Sequence, residues 1–143
     1  MTFHLFEEYA VVRKAHAFVL DVYKHSASFP KHELFGVTSQ LRRSAASVPA
    51  NICEGKARGS DKELFRYLMI ARASLTEASY FLLLAKDLSY LPGQSYQQLS
   101  KQADEIGRMT AGMLASIRRQ RPRFSTKLKA HSSKPLKEGS LHD

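Results

Sequence analysis

One stretch of this sequence, QLRRSAASVPANICEG at residues 40–55, carries polar side chains at a spacing that could build a site. Its polar members recur every three or four residues, so on a helix they share one stripe. They are Gln40, Ser44, Ser47, Asn51 and Glu54. A shorter counterpart, Ser74 and Glu77, lies in the following segment. Three interpretations are open: a hydrogen-bond network between helices, a polar subunit interface, or a ligand or catalytic site.

The catalytic interpretation depends on Glu54 and Glu77, which would have to act as paired carboxylates. No histidine shares their spacing and no second base is placed to help them. The six histidines contain no i, i+4 pair, and neither a Glu-x-x-His motif nor a glycine-rich phosphate loop is present. We therefore predict a protein that is not an enzyme and that has no catalytic residue, bound metal or cofactor.

Cys53 is the only cysteine, so the chain can form no internal disulfide. Its position among small residues predicts a packed thiol, because a nucleophile would need a cationic neighbour such as Lys56 or the Arg42–Arg43 pair. A single free cysteine fits a reducing compartment, and we expect a cytoplasmic protein. The first ten residues lack the pattern of a secretory signal, and no continuous apolar run is long enough to span a bilayer.

Basic residues provide a second candidate site. Arg42 and Arg43 either form solvated or interface ion pairs or contact phosphates, and Lys56, Arg58 and Lys62 extend the basic strip. Aromatic residues for base stacking are sparse, with only Phe65 and Tyr67 close in sequence, so nucleic-acid binding would be directed at the backbone. Four more arginines complete the predicted nucleic-acid-binding set: Arg118, Arg119, Arg121 and Arg123.

The formal net charge of +9 is distributed unevenly along the 143 residues. Residues 118–143 hold eight lysines and arginines against two acidic residues, a net +6, and the first 117 residues contribute only +3. A cationic segment of this kind attracts any polyanion without reading its sequence. The charge alone therefore does not identify a partner.

Four segments with helical periodicity must position these residues. They run over about 5–25, 30–55, 60–91 and 95–118. In the third, seven apolar residues from Leu64 to Ala85 alternate steps of four and three without a miss. Capping boxes are predicted at Ser60 with Glu63 and at Ser95 with Gln98.

Within the second segment, Pro49 predicts a kink near residues 45–49, and Gly55 and Gly59 predict its end. Short connections make successive helices antiparallel neighbours. The predicted fold is all-α: an up-down-up-down antiparallel four-helix bundle over residues 1–118, followed by a basic tail at 119–143 that we expect to be disordered.

The block at residues 40–55 resembles the signature of the bacterial 23S rRNA intervening-sequence proteins. Further similarities are Phe29-Pro30 with residues 33–36 before it, and Ser60, Glu63, Ser74-Leu75-x-Glu77 and Leu88-x-Tyr90-Leu91 after it. The resemblance covers about residues 5–118. Cys53 departs from the family, in which alanine is more frequent at this position, and we expect no effect on the fold.

The resemblance implies a four-helix bundle that assembles as a ring-like homopentamer. Some members are encoded within inserts of bacterial 23S rRNA genes, and a related branch binds nucleic acid and a reverse transcriptase as an accessory of diversity-generating retroelements. No enzymatic activity is established for the family. Two hypotheses follow: an oligomeric module that binds RNA or DNA, or a homo-oligomeric scaffold that holds a partner protein. Neither involves a membrane.

Overall fold

The computed structural model describes residues 9–120, which form four long helices and one short 3-10 turn. The helices are α1 (Ala10–Ser26), α2 (Val37–Ala57), α3 (Asp61–Asp87) and α4 (Gly93–Arg119). No strand occurs between residues 9 and 120. The predicted all-α class is therefore confirmed.

Each helix packs against its two neighbours in a closed cycle: α1 on α2, α2 on α3, α3 on α4, and α4 back on α1. The cross-helix contacts fix an antiparallel order. Ser47 of α2 is hydrogen-bonded to Ser74 of α3, and Glu54 of α2 is hydrogen-bonded to Tyr67 of α3. From the first contact to the second, the residue number rises by seven on α2 and falls by seven on α3. The most extensive pairing is that of α2 with α3. The up-down-up-down four-helix bundle is confirmed.

The core follows the heptad pattern read from the third and fourth segments. All seven apolar seam positions of α3, from Leu64 to Ala85, are buried. On α4 the heptad spacing runs through Tyr96, Leu99, Ala103, Ile106, Thr110, Met113 and Ile117. All are buried except Tyr96 and Met113, which are half-buried, and Leu114 is buried beside Met113. On α1 the buried apolar residues are Val11, Val12, Ala15, Phe18 and Val22.

The beginnings of two helices differ from the sequence prediction. The second helix begins at Val37 rather than Pro30, because Pro30 opens a 3-10 turn over Lys31–Glu33 and Gly36 separates that turn from α2. The fourth helix begins at Gly93, with Pro92 as its N-cap. The capping box at Ser95 and Gln98 was therefore wrong, since both residues already lie inside the helix.

The end of α2 shows different roles for its two glycines. Gly59 has a φ of +78°, a left-handed conformation that terminates the helix and favours glycine. Gly55 lies inside the helix and is buried. A Cβ at this position would stand 2.7 Å from Cβ of Tyr67. Gly55 therefore permits the close approach of α2 to α3 rather than a stop. Pro49 also lies within α2, which continues through it, and the kink stays a prediction.

By length and composition, α3 alone among the described helices could cross a membrane. Its most apolar window has a mean hydropathy of 1.3, and 39% of that window is buried inside the bundle. The buried share is the core seam of α3, and a core helix meets such a criterion without entering a membrane.

Candidate nucleic-acid interface

The polar stripe of α2 faces the polar side chains of α3 and forms hydrogen bonds with them. The Ser47 and Ser74 hydroxyl oxygens lie 2.9 Å apart, and Asn51 Nδ2 donates to Ser47 Oγ at 2.8 Å. Nearer one end of this seam, Arg43 donates to Glu77. The stripe thus contributes to an inter-helix network.

Other members of the stripe lie at the borders of the seam. Ser44 is fully buried and returns its hydroxyl to the Gln40 carbonyl at 2.8 Å, whereas the Gln40 side chain is exposed and accepts from Arg43. Within residues 9–120, the hydrogen bonds of Ser44 and Gln40 thus stay inside α2, whereas the Ser47–Ser74 contact joins α2 to α3.

Glu54 and Glu77 do not form a carboxylate pair. Glu54 accepts from the Tyr67 hydroxyl at 3.2 Å, and Glu77 lies ten residues further along α3, about 15 Å at 1.5 Å per residue. Hydrogen bonds from Arg58 and Tyr67 lower the pKa of Glu54, which keeps it ionised near neutrality. A carboxylate held in this state is poorly suited to donate a proton.

The ends of three helices bring basic side chains together at one end of the bundle, where α1 and α3 begin and α2 and α4 end. We call this group the basic end. Its members are Lys56, Arg58, Lys62, Arg66, Arg118 and Arg119. Of residues 9–120, three acidic ones share the region, Glu54, Asp61 and Glu63, so within that range six positive charges against three negative ones leave a net +3.

Aromatic side chains support several of these cations. Lys56 Nζ lies 4.0 Å from the centre of the Tyr9 ring, and the Arg118 guanidinium lies 5.4 Å from that of Phe65. Such contacts position a cation without neutralising its charge. Arg58 and Arg66 are instead ion-paired, with Glu54 at 3.1 Å and Glu63 at 3.2 Å.

Four members of the basic end have no ion pair among residues 9–120, and two of these four have no aromatic contact in that range either. Lys62 stands in the first turn of α3, and Arg119 is the last residue of α4; both are exposed. Neither forms an ion pair with any residue in that range. They are the cations at this end that are most available to a bound anion.

Residues 7–112 match the sequence model of the protein family described as "23S rRNA-intervening sequence protein". The chain belongs to this family. No match was found among the curated proteins. Among solved structures, the chain is similar to a protein of unknown function from the S23 ribosomal protein family of Bacteroides thetaiotaomicron VPI-5482. The two share 24% identity and a TM-score of 0.67, covering 73% of this chain and 98% of the other, a likeness that shows the fold.

In this 23S rRNA-intervening sequence protein, Arg42 and Arg43 lie away from the basic end. Lys56 follows Arg42 on α2 by fourteen residues, which is about 21 Å of helix. Arg42 Nε donates to Ser26 Oγ at 2.8 Å, and its guanidinium lies 4.6 Å from the centre of the Tyr23 ring. The predicted basic strip is therefore divided between two places. Arg121 and Arg123 lie outside the described residues.

Sequence reasoning missed three basic residues of the bundle surface. Arg66 belongs to the basic end, and Arg72 and Arg108 line one groove between α3 and α4. No local motif marks them, because each is an isolated cation in its own segment. What relates Arg72 to Arg108 is the antiparallel register of α3 against α4. Phe65 contacts Arg118 and Lys86 contacts Tyr96, so the residue numbers of two facing residues on these helices add up to about 182. Arg72 and Arg108 satisfy that rule.

Cys53 lies half-buried in a groove between α1 and α2, together with His16 and Pro49. Burial raises the pKa of its thiol, the opposite of what a reactive cysteine needs. The geometry agrees with a packed thiol. Among residues 9–120, no group of three or more His, Cys, Asp or Glu side chains could hold a metal ion.

Proposed function

We propose that this protein is a non-enzymatic, homo-oligomeric bundle that binds the phosphate backbone of RNA or DNA in the cytoplasm. One observation carries the proposal: the fold gathers cations from α2, α3 and α4 at a single end of the bundle. In the sequence they lie in separate stretches, at residues 56–66 and 118–119. Their convergence creates a local positive field that the mild charge of the bundle as a whole does not suggest.

The chemistry of the basic end favours phosphate over base recognition. Lysine and arginine neutralise phosphates and release counterions, which supplies affinity without sequence selectivity. Three aromatic rings lie beside these cations, Tyr9, Phe65 and Tyr67, and each already has a cation over it. They are therefore poorly placed to stack on bases.

The remaining charge of the chain is attached at the same end. Residues 121–143 follow directly from α4 and carry six basic residues against two acidic ones. A bound polyanion at the basic end would thus be within reach of a second set of cations. The bundle would supply a fixed site, and the tail would add affinity that depends strongly on salt.

The alternative function is a homo-oligomeric scaffold without nucleic-acid binding. It is favoured by apolar side chains that the single chain leaves uncovered: Phe35 is 91% exposed and Tyr80 is 58% exposed. Large exposed apolar residues are typical of surfaces that bind another protein. Both functions include self-association, which the family resemblance implies to be pentameric, and they differ in whether nucleic acid is bound.

Fluorescence anisotropy with a labelled single-stranded RNA tests the proposal. The variant combines Lys62→Gln and Arg119→Gln, which remove the two basic-end cations that have neither an ion pair nor an aromatic contact within residues 9–120. A matched control combines Lys24→Gln and Lys31→Gln, which remove the same charge from exposed positions at the opposite end of the bundle. Each protein is also titrated with a labelled duplex DNA, and every titration is carried out at about 50 mM and at about 200 mM salt.

We expect the wild-type chain and the control to bind with similar affinity, and the basic-end variant to bind several-fold more weakly at low salt. Equal weakening in both variants would mean that only net charge matters, which contradicts a site at the basic end. Failure of the wild-type chain to bind either probe, together with a light-scattering mass unchanged by nuclease treatment, would support the scaffold.

A further inference from the structure

We infer that the groove between α3 and α4 at Arg72 and Arg108 is a second phosphate-binding position, which extends the basic end along the side of the bundle. The inference rests on the proposed function and specifies the path of the bound strand. The groove has a volume of about 400 Å³. Its lining residues come from the two helices in turn: Arg72, Leu75, Thr76 and Ser79 from α3, then Ala103, Asp104, Gly107, Arg108 and Ala111 from α4.

Small residues on α4 open this groove. Ala103, Gly107 and Ala111 recur every four residues and so share one face of the helix. A Cβ on Gly107 would already be 3.7 Å from Leu75 Cδ2, which shows how near α3 lies at this level. The α4 side of the groove therefore includes three small residues, and each helix contributes one arginine to the lining.

The arginines of the groove are not neutralised within the bundle. Both are exposed, and neither forms an ion pair with a carboxylate of residues 9–120. Asp104 lines the same groove one turn before Arg108, but no ion pair joins them. Two positive charges against one leave the groove with a net charge of +1.

The hydroxyl groups of the groove are engaged elsewhere. Thr76 donates to the Arg72 carbonyl at 3.1 Å, and Ser79 donates to the Leu75 carbonyl at 2.9 Å. The free donors are therefore the two guanidinium groups, whose planar forks suit the oxygens of a phosphate. A phosphodiester therefore finds two charged donors in this groove.

The groove lies on the same α3–α4 seam as Arg118 of the basic end. Arg118 follows Arg108 by ten residues on α4, about 15 Å along the helix, and its guanidinium lies over Phe65 of α3 on the same seam. Beyond the groove in the other direction, Lys86 lies 4.7 Å from the centre of the Tyr96 ring. Cations thus recur along the α3–α4 seam. A strand of nucleic acid carries enough phosphates over such a distance to contact each in turn.

The test replaces both groove arginines, in the full chain, with Arg72→Gln and Arg108→Gln. The same labelled RNA is titrated over a range of salt, beside the basic-end variant and the Lys24→Gln, Lys31→Gln control. Each phosphate contact removed from a single strand lowers the slope of log affinity against log salt by about 0.7. We expect the groove variant to lower this slope by about 0.7 to 1.4, which corresponds to the loss of one or two contacts, and to weaken binding at low salt. The control should leave both the slope and the affinity unchanged.

Three outcomes separate this inference from the proposed function. Weakened binding in both the groove and the basic-end variants supports the two together. A groove variant that binds with wild-type affinity and slope, while the basic-end variant is impaired, overturns the inference and leaves the proposed function standing. Failure of the wild-type chain to bind both the RNA and the duplex DNA probe overturns both. Circular dichroism of each variant establishes that the bundle is intact.

Discussion

At the scale of single residues, close packing and polar contacts specify how α2 meets α3. Gly55 sits where any side chain would collide with Tyr67, and Ser47 faces Ser74 at hydrogen-bonding distance. The regular spacing of the polar residues in this seam could be recognised in the sequence. The role of Gly55 was not, because a glycine near a helix end is read as a stop unless the neighbouring helix is known to approach it.

Gly55→Ala is expected to destabilise the bundle by about 1–3 kcal/mol, because its Cβ would lie 2.7 Å from that of Tyr67. Gly112→Ala is the matched control, since a Cβ there meets no atom within 4 Å. Alanine in a helix interior is more favourable than glycine by about 0.5–1 kcal/mol, so this variant should gain stability. Urea denaturation measures both. A Gly55→Ala protein at least as stable as wild type would contradict the close approach.

Glu54 gives a prediction about pH. The pKa of its carboxyl is lowered in the folded state by hydrogen bonds from Arg58 and Tyr67. A group whose pKa is lower when folded stabilises the protein above its unfolded pKa, about 4.3 for glutamate. That contribution is lost as the pH falls through the folded value. The stability difference between wild type and Glu54→Gln should therefore be largest at neutral pH and shrink in acid.

Thermal melts of both proteins between neutral pH and about pH 3 measure this difference. The effect should be modest, because the ion pair is half exposed and solvent screens it. A difference that stays constant over the whole pH range would show that the carboxylate charge plays no part. Glu77→Gln serves as a comparison on the same seam.

At the scale of the helices, the sequence predicted interiors better than ends. All the seam residues of α3 were predicted correctly, because seven apolar residues recur at the helical period without interruption. A helix that packs against a core needs its apolar residues on one face, which gives this period. Helix ends depend instead on local competition. Pro30 was expected to open a long helix, but a 3-10 turn and Gly36 intervene before α2.

The two predicted capping boxes offer a direct comparison. Ser60 Oγ accepts from the Glu63 backbone N–H at 3.2 Å, so Ser60→Ala should cost about 1 kcal/mol of stability. Ser95 lies inside α4, whose N-cap is Pro92 and has no side-chain hydrogen bond. Ser95→Ala should consequently be neutral or slightly stabilising. Equal losses in the two variants, measured by chemical denaturation, would argue that Ser95 caps the helix after all.

At the scale of the whole molecule, the antiparallel arrangement decides which distant residues become neighbours. It brings Lys56, Lys62 and Arg119 to one end and separates them from Arg42, although Arg42 is nearer to Lys56 in the sequence than Arg119 is. Composition reveals the total charge but not this sorting. The register of α3 against α4, which pairs Arg72 with Arg108 across a groove, is likewise visible only once the seams are aligned.

A chain ending at Gln120 should fold with an unchanged melting temperature, because the core described here is built from residues 11–117. It should bind RNA more weakly than the full chain and with a shallower salt dependence, since six cations are removed. Differential scanning fluorimetry and anisotropy report the two effects. Complete loss of binding would assign the affinity to the tail alone, and a fall in melting temperature would mean that residues 121–143 stabilise the bundle.

An even number of antiparallel helices also returns the chain to the side from which it started. Tyr9 and Gln120 both lie at the basic end, one before α1 and the other after α4. A purification tag or reporter fused directly before Tyr9 or directly after Gln120 would consequently be tethered beside the cations proposed to bind nucleic acid. The connection between α3 and α4, at the opposite end, is the place to attach a label that leaves that surface uncovered.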